Sequence, residues 1–385
     1  MPIKHGIQIN ELTSGTRSLV LASTAVIGLV AIAEDADDTT FPLDTAVLIT
    51  DVQTAVGKAG ASGNLKKVLQ AIADQCSPQV VVVRVAAGAA DGEITEEAAT
   101  AANIIGDVTP EGRYTGMKAL LAAQAKLGVT PKILGVPGYD NLSVTTELVV
   151  IAKKLRAMVY AKPEGDTIAD VVAYKEGFGD RELMLIWPDF TDFPGSAVAR
   201  ALGLRAAIDQ STGWKKSLSN VVVSGVTGID VDVHWDISGI DTDAAALNDG
   251  SITTLIRHDG FRFWGNRTCS SEPQYVFEVA TRTNYVLQDT MQKGLLWMVD
   301  KPLTAGLVKD GVETINAEFR LLTQNGDIIG ALAWYPKELN SVTSLAGGQL
   351  QLSYNFTPCA PMEGLGLNTA ITDTYYANLS SQIGN

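Results

Sequence analysis

The run from Leu255 to Thr268, L-I-R-H-D-G-F-R-F-W-G-N-R-T, concentrates more recognition chemistry than any other stretch of this 385-residue chain. Arg257, Arg262 and Arg267 stand beside Phe261, Phe263 and Trp264, a mixture able to stack nucleobases in a basic groove. Strand alternation points elsewhere. It places Phe261 and Phe263 on one face and Arg262 and Trp264 on the other, as core packing beside a salt-bridged or interface surface requires. His258 and Asp259 would have to orient a nucleophile such as Cys269, but adjacent strand residues face opposite ways. The segment has no nucleophile beside a base, no metal-ligand spacing and no phosphate cradle. Asp259, Gly260, Phe261, Arg262, Phe263, Trp264, Gly265, Asn266 and Arg267 are therefore read as a packed structural signature.

The remaining chemistry is sparse. Gly57, Gly60 and Gly63 lie near a helix start, yet their G-x-x-G-x-x-G spacing matches neither the dinucleotide fingerprint nor the P-loop. No G-x-S-x-G nucleophile elbow occurs. His5, His234 and His258 read as structural, and Cys76, Cys269 and Cys359 are too scattered for a disulfide framework or a zinc site. With 43 acidic against 29 basic residues, the net charge of −14 repels phosphate backbones and anionic membranes. Nucleic acid, membrane insertion, cofactor and metal are accordingly not expected. The apolar run Leu19 to Ala33 resembles a signal peptide, but it is shorter than a membrane span, is broken by Ser23, Thr24 and Gly28, and follows a polar-rich stretch. A buried strand or two fits it better. The sequons at Asn141, Asn266, Asn355 and Asn378 are then chance matches, and the cysteine usage suits a reducing cytoplasm.

Elements that would hold these residues alternate along the chain. Residues 3–20 suit an extended strand without a nearby partner. Strands are expected within 21–33 and at Ala46 to Ile49, with a helix capped by Asn64 whose apolar face is Leu65, Val68, Leu69 and Ile72. Gln79 to Val85 reads as a strand buried on both faces. Helices at Tyr114 to Leu127, Thr145 to Met158, Thr167 to Lys175 and Ser196 to Ile208 alternate with strands at Lys132 to Val136 and Glu182 to Trp187. A short strand is expected at Val231 to Trp235. This rhythm predicts a layered α/β domain with a largely parallel sheet over residues 21–250. A smaller α+β domain, 251–365, is expected to hold a hairpin around Asp259-Gly260, two long helices (Gln274 to Val299 and Thr304 to Thr323) and strands at Asp327 to Tyr335 and Gln349 to Thr357. The tail, 366–385, reads as another isolated strand. Unpaired strands either fray or add to another chain's sheet.

Several segments in order resemble the contractile tail sheath proteins of temperate myophages. These are H-G-I-Q-I-N-E-L at His5 to Leu12, G-T-R-S-L at Gly15 to Leu19, A-I-A-D-Q at Ala71 to Gln75 and K-I-L-G-V-P-G at Lys132 to Gly138. They continue with R-E-L-M-L-I-W-P-D-F at Arg181 to Phe190, A-R-A-L-G-L-R-A at Ala199 to Ala206, D-G-F-R-F-W-G-N-R-T-C at Asp259 to Cys269 and P-C-A-P-M-E at Pro358 to Glu363. The resemblance covers essentially the whole chain. It implies a multi-domain sheath fold with extended N- and C-terminal β-arms, residues 1–20 and 366–385. Ile7, Ile9, Leu12 and Leu19 with Ile371, Tyr375, Tyr376 and Leu379 would then pair with neighbouring subunits. It also implies an inner, tube-facing second domain, for which Lys293, Lys301, Lys309, Asp310 and Glu313 are candidate contacts, and an outer first domain. The expected partners are further copies in stacked, hexameric rings, an inner tail tube protein, and baseplate and tail terminator proteins. The expected site is the virion tail, assembled in the bacterial host cytoplasm. The competing reading is a soluble α/β enzyme or ligand-binding protein with a dispersed site.

Overall fold

The computed structural model describes residues 19, 21, 23–376, 379 and 382. Ile7, Ile9, Leu12 and the rest of the expected strand over 3–20, apart from Leu19, lie outside the described residues. The chain begins with β1 (Ile27–Ile32), β2 (Ala46–Ile49), α1 (Val52–Val56), α2 (Leu65–Ala73), β3 (Val80–Val85) and α3 (Glu96–Ile105). After a 3-10 turn over Gly116–Ala122 come α4 (Ala123–Leu127), β4 (Ile133–Gly135), α5 (Leu142–Leu155), β5 (Met158–Ala161) and α6 (Ile168–Glu176). β6 (Leu183–Ile186), α7 (Ser196–Ser211), β7 (Val222–Val223), α8 (Asp243–Asp249), β8 (Ile252–Arg257) and β9 (Phe261–Trp264) complete one sheet.

That sheet has nine strands in the order β2-β3-β1-β4-β5-β6-β8-β9-β7. The six from β3 to β8 are mutually parallel, and β2, β9 and β7 are antiparallel at its margins. Both faces are covered, which is why β1 and β3 read as unbroken apolar runs: all six residues of each are buried. One face packs on α1, α2 and α7 through Leu65, Leu69, Val198 and Leu202, and the other on α3 and α5 through Ile104, Val144 and Leu148. Arg84, in the middle of β3, is the exception to the apolar rule. Its guanidinium pairs with Asp38 and donates to the carbonyls of Ala33 and Ala36 at 3.2 and 3.3 Å, pinning the acidic loop after β1.

Four expectations need correction. The boundary placed at 250/251 cuts the sheet, because β8 pairs in parallel with β6, Leu185 opposite Ile252. Val231 to Trp235 forms no strand. Helix α5 ends at Leu155, where Arg156 takes a left-handed φ of 52°, so that Met158 can start β5 beside β4. The fourth concerns Asn64, whose side chain makes no cap bond. Instead its Oδ1 accepts from Ile32 N at 2.9 Å and its Nδ2 donates to Pro137 O at 2.7 Å, stitching the ends of β1 and β4.

A second unit follows. α9 (Glu278–Leu295) and α10 (Ala305–Gln324) pack with a two-stranded antiparallel sheet, β10 (Ile328–Trp334) and β11 (Ser353–Pro358), with α11 (Val342–Ala346) in the loop between the strands. Its small core gathers Leu287, Ile315, Phe319, Leu322 and Ile328. No helix among the described residues is long and apolar enough to cross a membrane.

Candidate functional site

Open parallel sheets offer ligands a crevice at the carboxyl ends of the strands where the strand order reverses. Here the order reverses around β1 and β4, and Asn64 already bridges those two strand ends. The glycine-rich loop is filled in the same way. The Asp35 carboxylate accepts from the N–H groups of Ala61 and Ser62 at 2.9 and 2.8 Å, so the chain supplies its own anion where a phosphate would sit. Gly138 and Gly195, at φ 79° and 85°, let two loops touch at this edge; a Cβ on Gly195 would lie 2.1 Å from Gly138 N. A cleft of about 680 Å³ opens next to them, walled by Glu96, Glu97, Asp140, Glu164 and Asp166 with Lys162 as the basic group. Burial pushes the Asp140 carboxyl up to about 7, and its Oδ2 accepts from Lys162 N at 2.5 Å. Such walls repel phosphates and other anions.

The reactive-looking residues of the signature are packed. The expected alternation holds: Phe263 is fully buried, Phe261 packs on the same cluster, and Phe190 meets both rings edge-on at 6.1 Å. On the other face, Arg262 Nε donates to His258 O at 2.8 Å and Trp264 packs edge-on to Trp235 at 5.4 Å. Asp259 and Gly260 make the turn with φ values of 48° and 107°. Gly265 leaves no room for a Cβ, which would lie 2.7 Å from Thr253 Oγ1, and the Asn266 carbonyl accepts from Glu278 N at 3.0 Å. Cys269 is buried and its thiol is pushed up to about 12, which holds it protonated and inert. Arg267 carries the connection the sequence hid. Its Nη2 lies 2.9 Å from Glu363 Oε2, joining the signature to the P-C-A-P-M-E segment 96 residues later.

The second unit carries a small, incompletely paired sheet. β10 pairs in a ladder only with β11; the Asn316 amide of α10 closes the backbone of Ala333, accepting from its N–H at 2.8 Å and donating to its C=O at 2.9 Å, and otherwise the outer edges of both strands have no strand partner among the described residues. Ala331 and Ala333 turn toward α10, while Leu332 and Trp334 stand on the outward face, exposed. Sequence reading missed these two. The signal was present, because I-I-G-A-L-A-W is apolar in both phases of the alternation, which one buried face does not require. Residues 359–373 form no strand, and Thr374 and Tyr375 form a turn, so among the described residues the expected isolated tail strand is not present. A strand exists only by its ladder. Ile371, Tyr375, Tyr376 and Leu379 are all exposed.

Leu19 departs from its expected role as a free arm residue. It is 7% exposed and docks in the small core against Gly294 of α9. The five charged candidates for a tube contact are all exposed, but they do not share one ion-pair network. Lys301 lies over the Trp297 ring at 4.5 Å, Glu313 faces Arg320 at 3.7 Å, and Lys293 ends α9.

Comparison with known proteins agrees with this geometry. The family profile described as the phage tail sheath protein central domain matches residues 112–269, and that of the tail sheath protein Gp18 domain III N-terminal region matches 24–85. A "Tail sheath protein" of Escherichia phage P2 is 51% identical over 98% of each chain. A "Major tail sheath protein" of Serratia phage KSP20 is 48% identical over 99% of this chain and 98% of its own. Among solved structures, the PVC sheath complex of an extracellular contractile injection system in its contracted state superposes with a TM-score of 0.70 at 16% identity, over 97% of this chain and 99% of that one. The contracted helical sheath of the anti-feeding prophage does so with 0.70 at 18% identity, over 95% and 98%. On this near full-length identity to named sheath proteins, the chain belongs to the phage tail sheath protein family.

Proposed function

We propose that this sheath protein polymerises into stacked hexameric rings around an inner tail tube and that the rings contract to drive the tube through a host cell envelope. The observation that carries this reading is the two-stranded β10–β11 sheet together with a tail whose described residues are exposed and form no strand. A two-stranded sheet is marginal in water, and a third and fourth strand from neighbours complete it. Ile371, Tyr375, Tyr376 and Leu379 would supply one such strand, and Ile7, Ile9 and Leu12 the other, with Leu19 as the anchor where the N-terminal arm leaves its own chain. The second unit, 251–365 with its β8–β9 start reassigned to the sheet, faces the tube, and the sheet unit faces outward. Lys293, Lys301, Lys309, Asp310 and Glu313 make the weak, screenable tube contact that must release.

Energy for the stroke comes from subunit contacts. A few kcal/mol per subunit, of the order of one well-packed side chain, multiplied over many copies drives the tube without nucleotide hydrolysis. Baseplate and tail terminator proteins bound the polymer, which works in the virion tail after assembly in the host cytoplasm. Negative-stain electron microscopy of the purified chain beside one lacking residues 367–385 tests the arm exchange. Hollow tubes or rings that vanish on truncation are expected. Uniform small particles from both chains would bring back the enzyme or ligand-binding reading.

A further inference from the structure

The two units share one helix but not one hydrophobic core. Apolar clusters fill each side of the nine-stranded sheet and a separate small one fills the second unit. Helix α9 runs between them, and its amino-terminal half is buried while carrying Glu278, Thr281, Arg282, Thr283, Asn284 and Tyr285. Trp214, after α7, reaches into the small core, and its neighbour Lys215 pairs with Asp327 at 2.7 Å; along the buried half of α9 itself, a ladder of ion pairs makes the attachment to the sheet unit. Arg205 of α7 donates to Asp209 at 2.8 Å and approaches Glu278 at 3.5 Å, with all three side chains fully buried. Arg282 pairs with the other Asp209 oxygen, and Tyr160 of β5 donates to Glu278. One turn further along, Tyr285 donates to Glu182, over which Arg181 stacks on Tyr275 at 4.2 Å. At the far end, Asp289 is gripped by Lys132 at 2.5 Å and by Arg156 at 2.6 Å.

Apolar surfaces slide past one another at small cost because one methyl contact replaces another. A buried charge has one acceptable position. Shifting α9 by one turn would strand Glu278, Arg282 and Asp289 without counter-charges in an environment where unpaired ions are strongly disfavoured. Three attachment points spaced along the helix, supplied by Lys132 and Glu182 just before β4 and β6, Arg156 at the end of α5, Tyr160 of β5, and Arg205 and Asp209 of α7, leave a single register that satisfies all of them.

We infer that the buried ion-pair ladder along α9 is a register lock, which fixes the orientation of the α10–hairpin unit relative to the nine-stranded sheet and makes the subunit move as one piece. This concerns the inside of one subunit and stands whether or not the arm exchange occurs. The same substitution that removes the lock need not weaken the fold, since matched apolar replacements of buried ion pairs are often neutral or stabilising.

The test attaches spin labels through unnatural side chains at Lys67, exposed on α2, and Lys309, exposed on α10, and dilutes labelled chains into unlabelled ones. Pulsed dipolar spectroscopy should give one narrow distance in the natural chain. A variant made apolar at all three attachment points, Arg205→Met, Asp209→Leu, Glu278→Met, Arg282→Met and Tyr160→Phe with Tyr285→Phe, Glu182→Leu, Asp289→Leu and Lys132→Met, should keep its unfolding midpoint within about 5 °C, yet broaden the distance distribution about twofold or more. An equally narrow distribution at the same mean overturns the lock. If that variant fails to fold, the milder pair Asp289→Asn with Glu182→Gln decides, because it removes the charge at two attachment points while an amide oxygen still accepts from Tyr285 and from one of Lys132 and Arg156. Broadening there supports the lock, and a distribution as narrow as the natural one overturns it.

Discussion

The nine-stranded sheet and the β10–β11 hairpin are made of similar residues and finished in opposite ways. Every central strand of the sheet has two partners, both faces are covered, and the residues of β1, β3, β4, β5 and β6 are buried throughout. The hairpin has one partner per strand and shows Leu332 and Trp334 to solvent. The first leaves single-partner strands only at its short margins, β2 and β7. The second leaves donors, acceptors and apolar area exposed.

Substitutions that hit one side and spare the other sharpen the contrast. The largest effect is expected from Leu332→Asp combined with Trp334→Asp, which should abolish tubes in electron micrographs while shifting the unfolding midpoint of the free chain by less than about 2 °C. A midpoint lowered by more than that would mean the outward face belongs to the fold. The reverse experiment is Leu29→Ala in β1, fully buried, expected to cost about 4 kcal/mol in chemical denaturation. Chains that survive it should still form tubes.

Asp140 gives a smaller effect that stays inside the sheet unit. Its carboxyl is raised from 3.8 to about 7 by burial, so the folded state holds the proton longer than the unfolded one. Below about pH 4 both states are protonated. Between about 4 and 7 the unfolded chain ionises first and stability falls with rising pH, then levels off. Asp140→Asn should remove this slope and raise stability at pH 7.5 by roughly 2 kcal/mol, less than the full shift implies because relaxation and water entry reduce the penalty. Equal slopes for both chains would show that Asp140 is ionised in the fold. The smallest effects belong to the helix surface: Lys301→Ala and Lys309→Ala should each move the midpoint by less than about 1 °C. Their effect should surface only as weaker, less salt-sensitive co-sedimentation with tube protein.

The same contrast explains what was legible in the sequence. Continuous β-branched runs such as Val80 to Val85 declare a strand buried on both faces, so the parallel sheet could be read directly. Helix α3 went unread although Thr95, which accepts from Ala98 N, and Glu96 and Glu97 mark its start. The α5 to β5 break was hidden because Arg156, not glycine, takes the left-handed turn. The boundary at 250/251 failed because a change in local pattern says nothing of β8 pairing with a strand some seventy residues earlier. Least legible was α9. Glu278, Arg282 and Asp289 look solvent-facing, and only the fold reveals counter-charges on α7 and at Lys132 just before β4. The signature motif was legible as packing, but its ion pair with Glu363 was not.

That pair, Arg267 to Glu363, is the last ion pair before a stretch in which every described residue from Met362 to Tyr376 is exposed. Downstream of it the chain offers a protease Leu365 and Leu367 in backbone without regular structure and the exposed Tyr375 and Tyr376 at a turn, whereas upstream it is tied to the signature segment. Chymotrypsin should therefore trim free subunits to a limit near Glu363 and leave the remainder intact, while subunits whose tails are engaged resist. The tail then serves as a built-in gauge of assembly, readable on a gel.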